Sequence, residues 1–196
     1  MPIALPVVGP DESGKLERML DEADIEFMRG RQAVGVTVGQ VGFAEGPPLA
    51  FDVLLAVPPH RCPQLLVDAG LAQPGGWIKP DPQTLETNQH DVYAIGDCTV
   101  ITLANGLALP KAGIFAELEG EVVAARIRDT LRGREPSATF TGEGYCYVET
   151  GSGQAAKASG SFLSDPVAVV ISEPTSAALD EKREFEQSRL RSWFGR

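Results

Sequence analysis

A chain of 196 residues with 43% hydrophobic content can bury a core, which excludes disorder along its whole length. A net charge of −10 argues against polyanionic partners, so neither nucleic acid nor an anionic membrane surface is expected. No apolar stretch approaches the roughly 20 residues of a membrane span, so the chain reads as soluble with no transmembrane span.

Met1 to Pro10 carry neither a basic n-region nor a small-residue cleavage site; no export signal is visible and the compartment stays open. From Asp11 to Asp24 the residues Leu16, Met19, Leu20 and Ala23 recur at helical spacing, with Asp11 or Ser13 as N-cap. Short runs rich in β-branched or aromatic residues follow at 25–28, 33–38, 41–44 and 51–57, separated by Gly and Pro, and they predict strands. Pro58 and Pro59 stop the last of them, and a loop-rich stretch leads through Gly75-Gly76 to Trp77 and Ile78. A nucleotide-binding α/β unit opens with a strand and a glycine-rich turn, whereas the first element here is a helix, so the unit reads as starting midway.

Val92 to Ile95 is a continuous apolar run that breaks at Gly96-Asp97, the pattern of a buried strand ending in a loop, and ligands favour that place in α/β sheets. After Pro110 the residues Ile114, Leu118, Val122 and Ala125, with Phe115, Val123 and Leu131 beside them, predict the longest helix; Pro110 suits its first turn and Gly133 its stop. Lys111 then falls at the positive end of that helix, where it opposes the macrodipole, so either it has a task there or it is an exposed lysine without one.

The last third predicts strands around Phe140, at 145–149 and at 167–171, with a Gly/Ser/Ala-rich connection between the last two. Residues 176–196 read as a terminal helix docked on its own sheet, a partner or membrane-surface role being the other reading, with Asp180 and Glu181 early and Arg189, Arg191 and Arg196 late. Gly151 to Ala156 spells a dinucleotide-type GxGxxA, but residues 157–166 are too short and too broken for a crossover helix, so the match is rejected. Cys62, Cys98 and Cys146 are odd in number and widely spaced, with only His60 and His90 to join them. That pattern fits neither a disulfide scaffold nor a zinc site, and no metal is expected.

Two segments carry a resemblance. Thr87 to Asp97, TNQHDVYAIGD, is similar to the segment of FAD-dependent pyridine nucleotide-disulfide oxidoreductases whose aspartate binds the ribitol of FAD. Leu109 to Glu117, opening LPKAG, resembles the sulfide:quinone reductase and flavocytochrome c sulfide dehydrogenase branch, and the closing residues 181–195 are similar to the end of that family. The resemblance covers the family's C-terminal portion and spans nearly all of this chain. It implies an α/β fold: a partial FAD/NAD(P)-binding, Rossmann-like region plus a C-terminal α+β domain, divided here as 1–58, 59–133 and 134–196.

The resemblance also implies roles. Gly96 and Asp97 would meet the ribitol, Gly96 because it lets the backbone pass close and Asp97 because a carboxylate accepts two hydroxyls; an aspartate capping a turn is the other reading. Pro110, Lys111, Ala112 and Gly113 would meet the flavin ring with a positive helix end. Cys146 would take up sulfide sulfur by thiol–disulfide chemistry with a second cysteine from the family's N-terminal half, a place that neither Cys62 nor Cys98 matches; a buried structural thiol is the other reading. The family reaction runs from a sulfur compound through FAD to a quinone or cytochrome. The alternatives are a general FAD/NAD(P)H oxidoreductase without cysteine chemistry, and a non-catalytic homodimer-forming fragment whose exposed flavin face a second copy covers.

Overall fold

The computed structural model describes residues 3–195. Met1 and Pro2 of the segment read for an export signal, and Arg196 of the terminal helix, lie outside the described residues. The chain divides into two compact units between His60 and Arg61.

In the first unit a 3₁₀ turn, Pro6–Val8, leads into helix α1, Pro10–Glu22. Its N-cap is Gly9, at φ 84°, rather than Asp11 or Ser13. Pro10 needs no N–H at the first helical position, Asp11 and Glu12 fill the acid-favouring first turn, and the Ser13 hydroxyl is buried, donating to Leu5 O at 3.1 Å. Three antiparallel strands follow in the order β1 (Ala33–Thr37), β2 (Gln40–Phe43) and β3 (Leu49–Ala50). The expected strands at 25–28 and 51–57 do not form. A strand needs a neighbour for its backbone groups along its length, and after the Phe51 N–H bond to Gly39 O no ladder continues through 51–57; Val53, Leu55 and Val57 stand exposed, as do Val34, Val36 and Val38.

The second unit begins with the short helix α2, Gln64–Asp68, and a long irregular stretch pinned by single bridges, Ile78 with Thr99, Glu86 with Tyr93 and Thr102 with Ala108. Residues 92–95 are extended but not a strand: the run folds back on 85–87, where Ala94 N–H donates to Leu85 O and Thr87 N–H to Val92 O. The long helix α3 spans Gly113–Leu131 and ends with Gly133 at φ 66°, its N–H on Thr130 O. Its N-cap is Ala112, so Pro110 and Lys111 precede the helix instead of opening it.

A three-stranded antiparallel sheet closes the unit in the order β4 (Glu143–Gly151), β5 (Gln154–Ser161) and β6 (Ala168–Ile171). The Gly/Ser/Ala-rich segment expected as a connection is thus the central strand. Ala155, Ala156 and Ala158 are fully buried; the small Ala155 lets helix α4, Ser176–Phe194, settle against the sheet through Ala178 and Leu179, while Ala156 and Ala158 alternate to the other face. Gly151, Ser152 and Gly153, all at positive φ, form the β4–β5 turn, so a strand and not a nucleotide-binding helix follows the GxGxxA match. Thr175 caps α4 by accepting from Ala178 N–H, and the far end of the helix leaves Trp193 and Phe194 exposed.

Phe115 of α3 packs edge-on against Phe140 and Phe162, with ring centroids 6.4 and 5.0 Å away. This aromatic cluster joins α3 to the sheet at Gly144, where an added Cβ would collide with the Phe115 ring. Gly144→Ala is therefore expected to destabilise the protein by about 1–3 kcal/mol through overpacking. Chemical denaturation measures it, and an unchanged midpoint would mean that β4 does not close on Phe115.

Candidate functional site

Asp97 lies in a 3₁₀ turn, Gly96–Cys98, that follows the extended Ile95. Gly96 takes φ 68°, and a Cβ there would stand 3.2 Å from the Cβ of Ala116, so left-handed backbone and the close approach of α3 both favour glycine. The turn closes on itself through Thr99, whose N–H and hydroxyl both donate to Gly96 O, at 3.0 and 2.8 Å. The Cys98 thiol donates to Ile95 O at 3.2 Å, and burial pushes its pKa up.

Two charged side chains hold the turn from outside. The Lys111 ammonium donates to Asp97 O at 2.7 Å and to Thr99 O at 2.6 Å, while lying 3.8 Å from the centre of the Trp77 ring. Partial burial lowers its pKa. From α3, the Glu119 carboxylate accepts the Gly96 N–H at 2.6 Å. Glu119 is 2% exposed, and burial pushes its pKa up, offset in part by the Gly96 N–H and by Lys111. The Asp97 residue, held this way through its backbone, is itself exposed to solvent.

Ala112, Gly113 and Ile114 lead into α3 beside this turn. The amides that open a helix have no intrahelical acceptor and carry the positive end of its dipole, and a Cβ on Gly113 would meet only open space. An apolar groove runs from these residues to the free edge of β4, lined by Tyr145, Cys146 and Tyr147 and, from α4, by Lys182 and Phe185. Tyr145 packs edge-on against Phe185 at 6.0 Å. Cys146 faces Ala158 across the β4–β5 ladder and shares the side of β4 that Gly144 turns to Phe115. It is exposed at the groove, yet the surrounding carbon still pushes its thiol pKa up.

The expected site residues thus fall in two places within the second unit. Gly96, Asp97, Pro110, Lys111 and Ala112 line one cleft, together with Glu119; Ala112, Gly113 and Cys146 line the adjoining groove. Cys62 and Cys98 pack on a separate cluster of Ala72, Ile78 and Ala94. Glu119 was not legible as a site residue because it sits inside an apolar helical stripe. The available signal was its spacing: Phe115, Glu119 and Arg126 share one face of α3, and all three are buried. Arg126 uses that burial structurally, donating to Ala138 O at 3.0 Å and to Glu86 Oε1 at 2.8 Å.

No family model matches the chain. It is 27% identical over 125 residues to the mitochondrial sulfide:quinone oxidoreductase of Schizosaccharomyces pombe, an alignment covering 63% of this chain and 25% of that protein. Its fold matches the sulfide:quinone oxidoreductase of Aquifex aeolicus with a TM-score of 0.79 at 18% identity, over 94% of this chain and 46% of that one. A more distant match is the reduced CoADR-RHD of Bacillus anthracis, with a TM-score of 0.55 at 16% identity over 82% of this chain and 29% of that one. The chain spans a quarter of the curated relative and about half of the solved chain that it matches.

Thiolate, not thiol, is the nucleophile, so the raised pKa makes Cys146 slow to alkylate at pH 8 for so exposed a cysteine. Its rate with iodoacetamide, followed by peptide mass spectrometry, should keep rising above the ordinary thiol range. A plateau at or below that range would show that the groove does not desolvate the sulfur.

Proposed function

From the likeness of this chain to the C-terminal part of sulfide:quinone oxidoreductases, we propose that it forms the ribityl and ring side of an FAD site in an oxidoreductase that passes electrons from a sulfur compound to a quinone or cytochrome. One observation carries the reading. The turn bearing Asp97 and the open end of α3 stand side by side, and the apolar groove containing Cys146 continues from that helix end.

These residues suit the group. The exposed Asp97 carboxylate can accept from two ribityl hydroxyls, and the amides of Gly113 and Ile114 can donate to a ring carbonyl that gains negative charge on reduction. Tyr145, Tyr147 and Phe185 give the groove a wall for a flat apolar molecule. Lys111 contributes by holding the Asp97 turn, since its ammonium is engaged by Asp97 O and Thr99 O. Bound FAD supplies a two-electron acceptor. Cys146, at the groove's edge, would hold the sulfur, in partnership with a second cysteine outside this chain. The phosphates need a glycine-rich strand-turn-helix that these residues do not contain.

After incubation with FAD and desalting, the purified protein is expected to keep a visible flavin band, and Asp97→Ala to lose most of it. In a protein that also supplies the phosphate-binding half, Cys146→Ser should keep the band and lose sulfide-dependent flavin reduction. A band indifferent to Asp97→Ala would remove the ribityl role, and full sulfide activity in Cys146→Ser would remove the cysteine chemistry.

A further inference from the structure

Building on the reading of Asp97 as the ribityl-binding carboxylate, we propose that Glu119 is the positioning residue of this site: by accepting the Gly96 N–H from within α3, its carboxylate fixes where the Asp97 side chain is presented. A glutamate buried to 2% exposure is costly to keep ionised, and glutamine or leucine would fill the same volume without that cost. Its surroundings show what offsets it: the Gly96 N–H at 2.6 Å and the neighbouring charge of Lys111, opposed by the like charge of Asp97.

The geometry assigns Glu119 to the turn and not to the helix. α3 is anchored independently, by Phe115 in the aromatic cluster and by Arg126 on Ala138 and Glu86. Gly96 begins a turn after extended backbone, so its N–H has no helical or ladder acceptor and depends on a side chain. With Lys111 also gripping Asp97 O and Thr99 O, the turn is held at Gly96, Asp97 and Thr99, and the exposed carboxylate of Asp97 inherits that orientation.

The test is amide hydrogen exchange by NMR in the absence of flavin. Glu119→Leu, which fills the space without an acceptor, should speed exchange at Gly96 about tenfold or more, while amides in the middle of β5 keep their rates. Glu119→Gln, which keeps an oxygen acceptor, should restore protection, a rescue that a purely volume-filling role would not show. Unchanged Gly96 exchange in Glu119→Leu, or equal loss of protection in Glu119→Gln, would overturn the proposal. Should Glu119→Leu also release the β5 amides, Glu119→Ala and the glutamine variant decide by the same comparison.

An FAD titration then separates this claim from the one beneath it. Where Asp97→Ala weakens binding, Glu119→Leu must weaken it about tenfold as well and Glu119→Gln must not; unaltered affinity in Glu119→Leu would refute the positioning role. If Asp97→Ala leaves FAD affinity unchanged, the flavin reading fails, and the Gly96 exchange rates alone decide whether Glu119 holds the turn.

Discussion

The hydrogen bond from Gly96 N–H to the buried Glu119 carboxylate, 2.6 Å long, links α3 to the turn that bears the exposed Asp97. A charge-assisted bond of this kind contributes about 1.5–3 kcal/mol, whereas a buried carboxylate left without partners costs far more. The arrangement is therefore all or nothing. Remove the turn, and Glu119 becomes a liability in the core; remove Glu119, and a partly buried N–H loses its acceptor. Lys111 works the same way from outside, trading solvent for two backbone carbonyls and an indole face. Asp97 is consequently placed by its backbone while its carboxylate stays in solvent.

The start of α3 serves both halves of the site because of one small residue on the neighbouring sheet. Gly144 lets β4 lie against Phe115, in the first turn of α3, and two residues later the same face of β4 carries Cys146. Among the described residues no strand pairs with the outer edge of β4, which leaves the groove open beside Cys146. β5 carries α4 at Ala155, and α4 returns Lys182 and Phe185 to the groove wall.

Much of this was legible in the sequence where local chemistry decides structure. The helices at 10–22 and 113–131 followed from apolar periodicity, the second also from its stop at Gly133, the helix at 176–194 from its charge placement, and Gly96-Asp97 marked a break into a loop. What local chemistry does not decide was misread. Residues 51–57 and 92–95 have the composition of buried strands, but a strand exists only with a partner for its N–H and C=O groups, and neither run has a ladder. The alanine-rich β5 looked like a connection because a small residue such as Ala155 matters for being thin beneath α4, which is a property of packing. Lys111 looked like a helix-opening cation, yet the N-cap falls one residue later and the side chain turns back to Asp97 and Thr99. Glu119 was hidden for the same kind of reason: its partner is 23 residues away and is a backbone amide, which no side-chain pattern announces.

The Asp97 turn and the opening of α3 are proposed to form one face for a flavin. Titrating FAD into isotopically labelled protein and following backbone amide shifts addresses this directly. Shifts concentrated at residues 96–99 and 112–114, extending to 145–147 along the groove, are the expected result. Shifts confined to other parts of the chain, with these amides unmoved at saturating FAD, would contradict it.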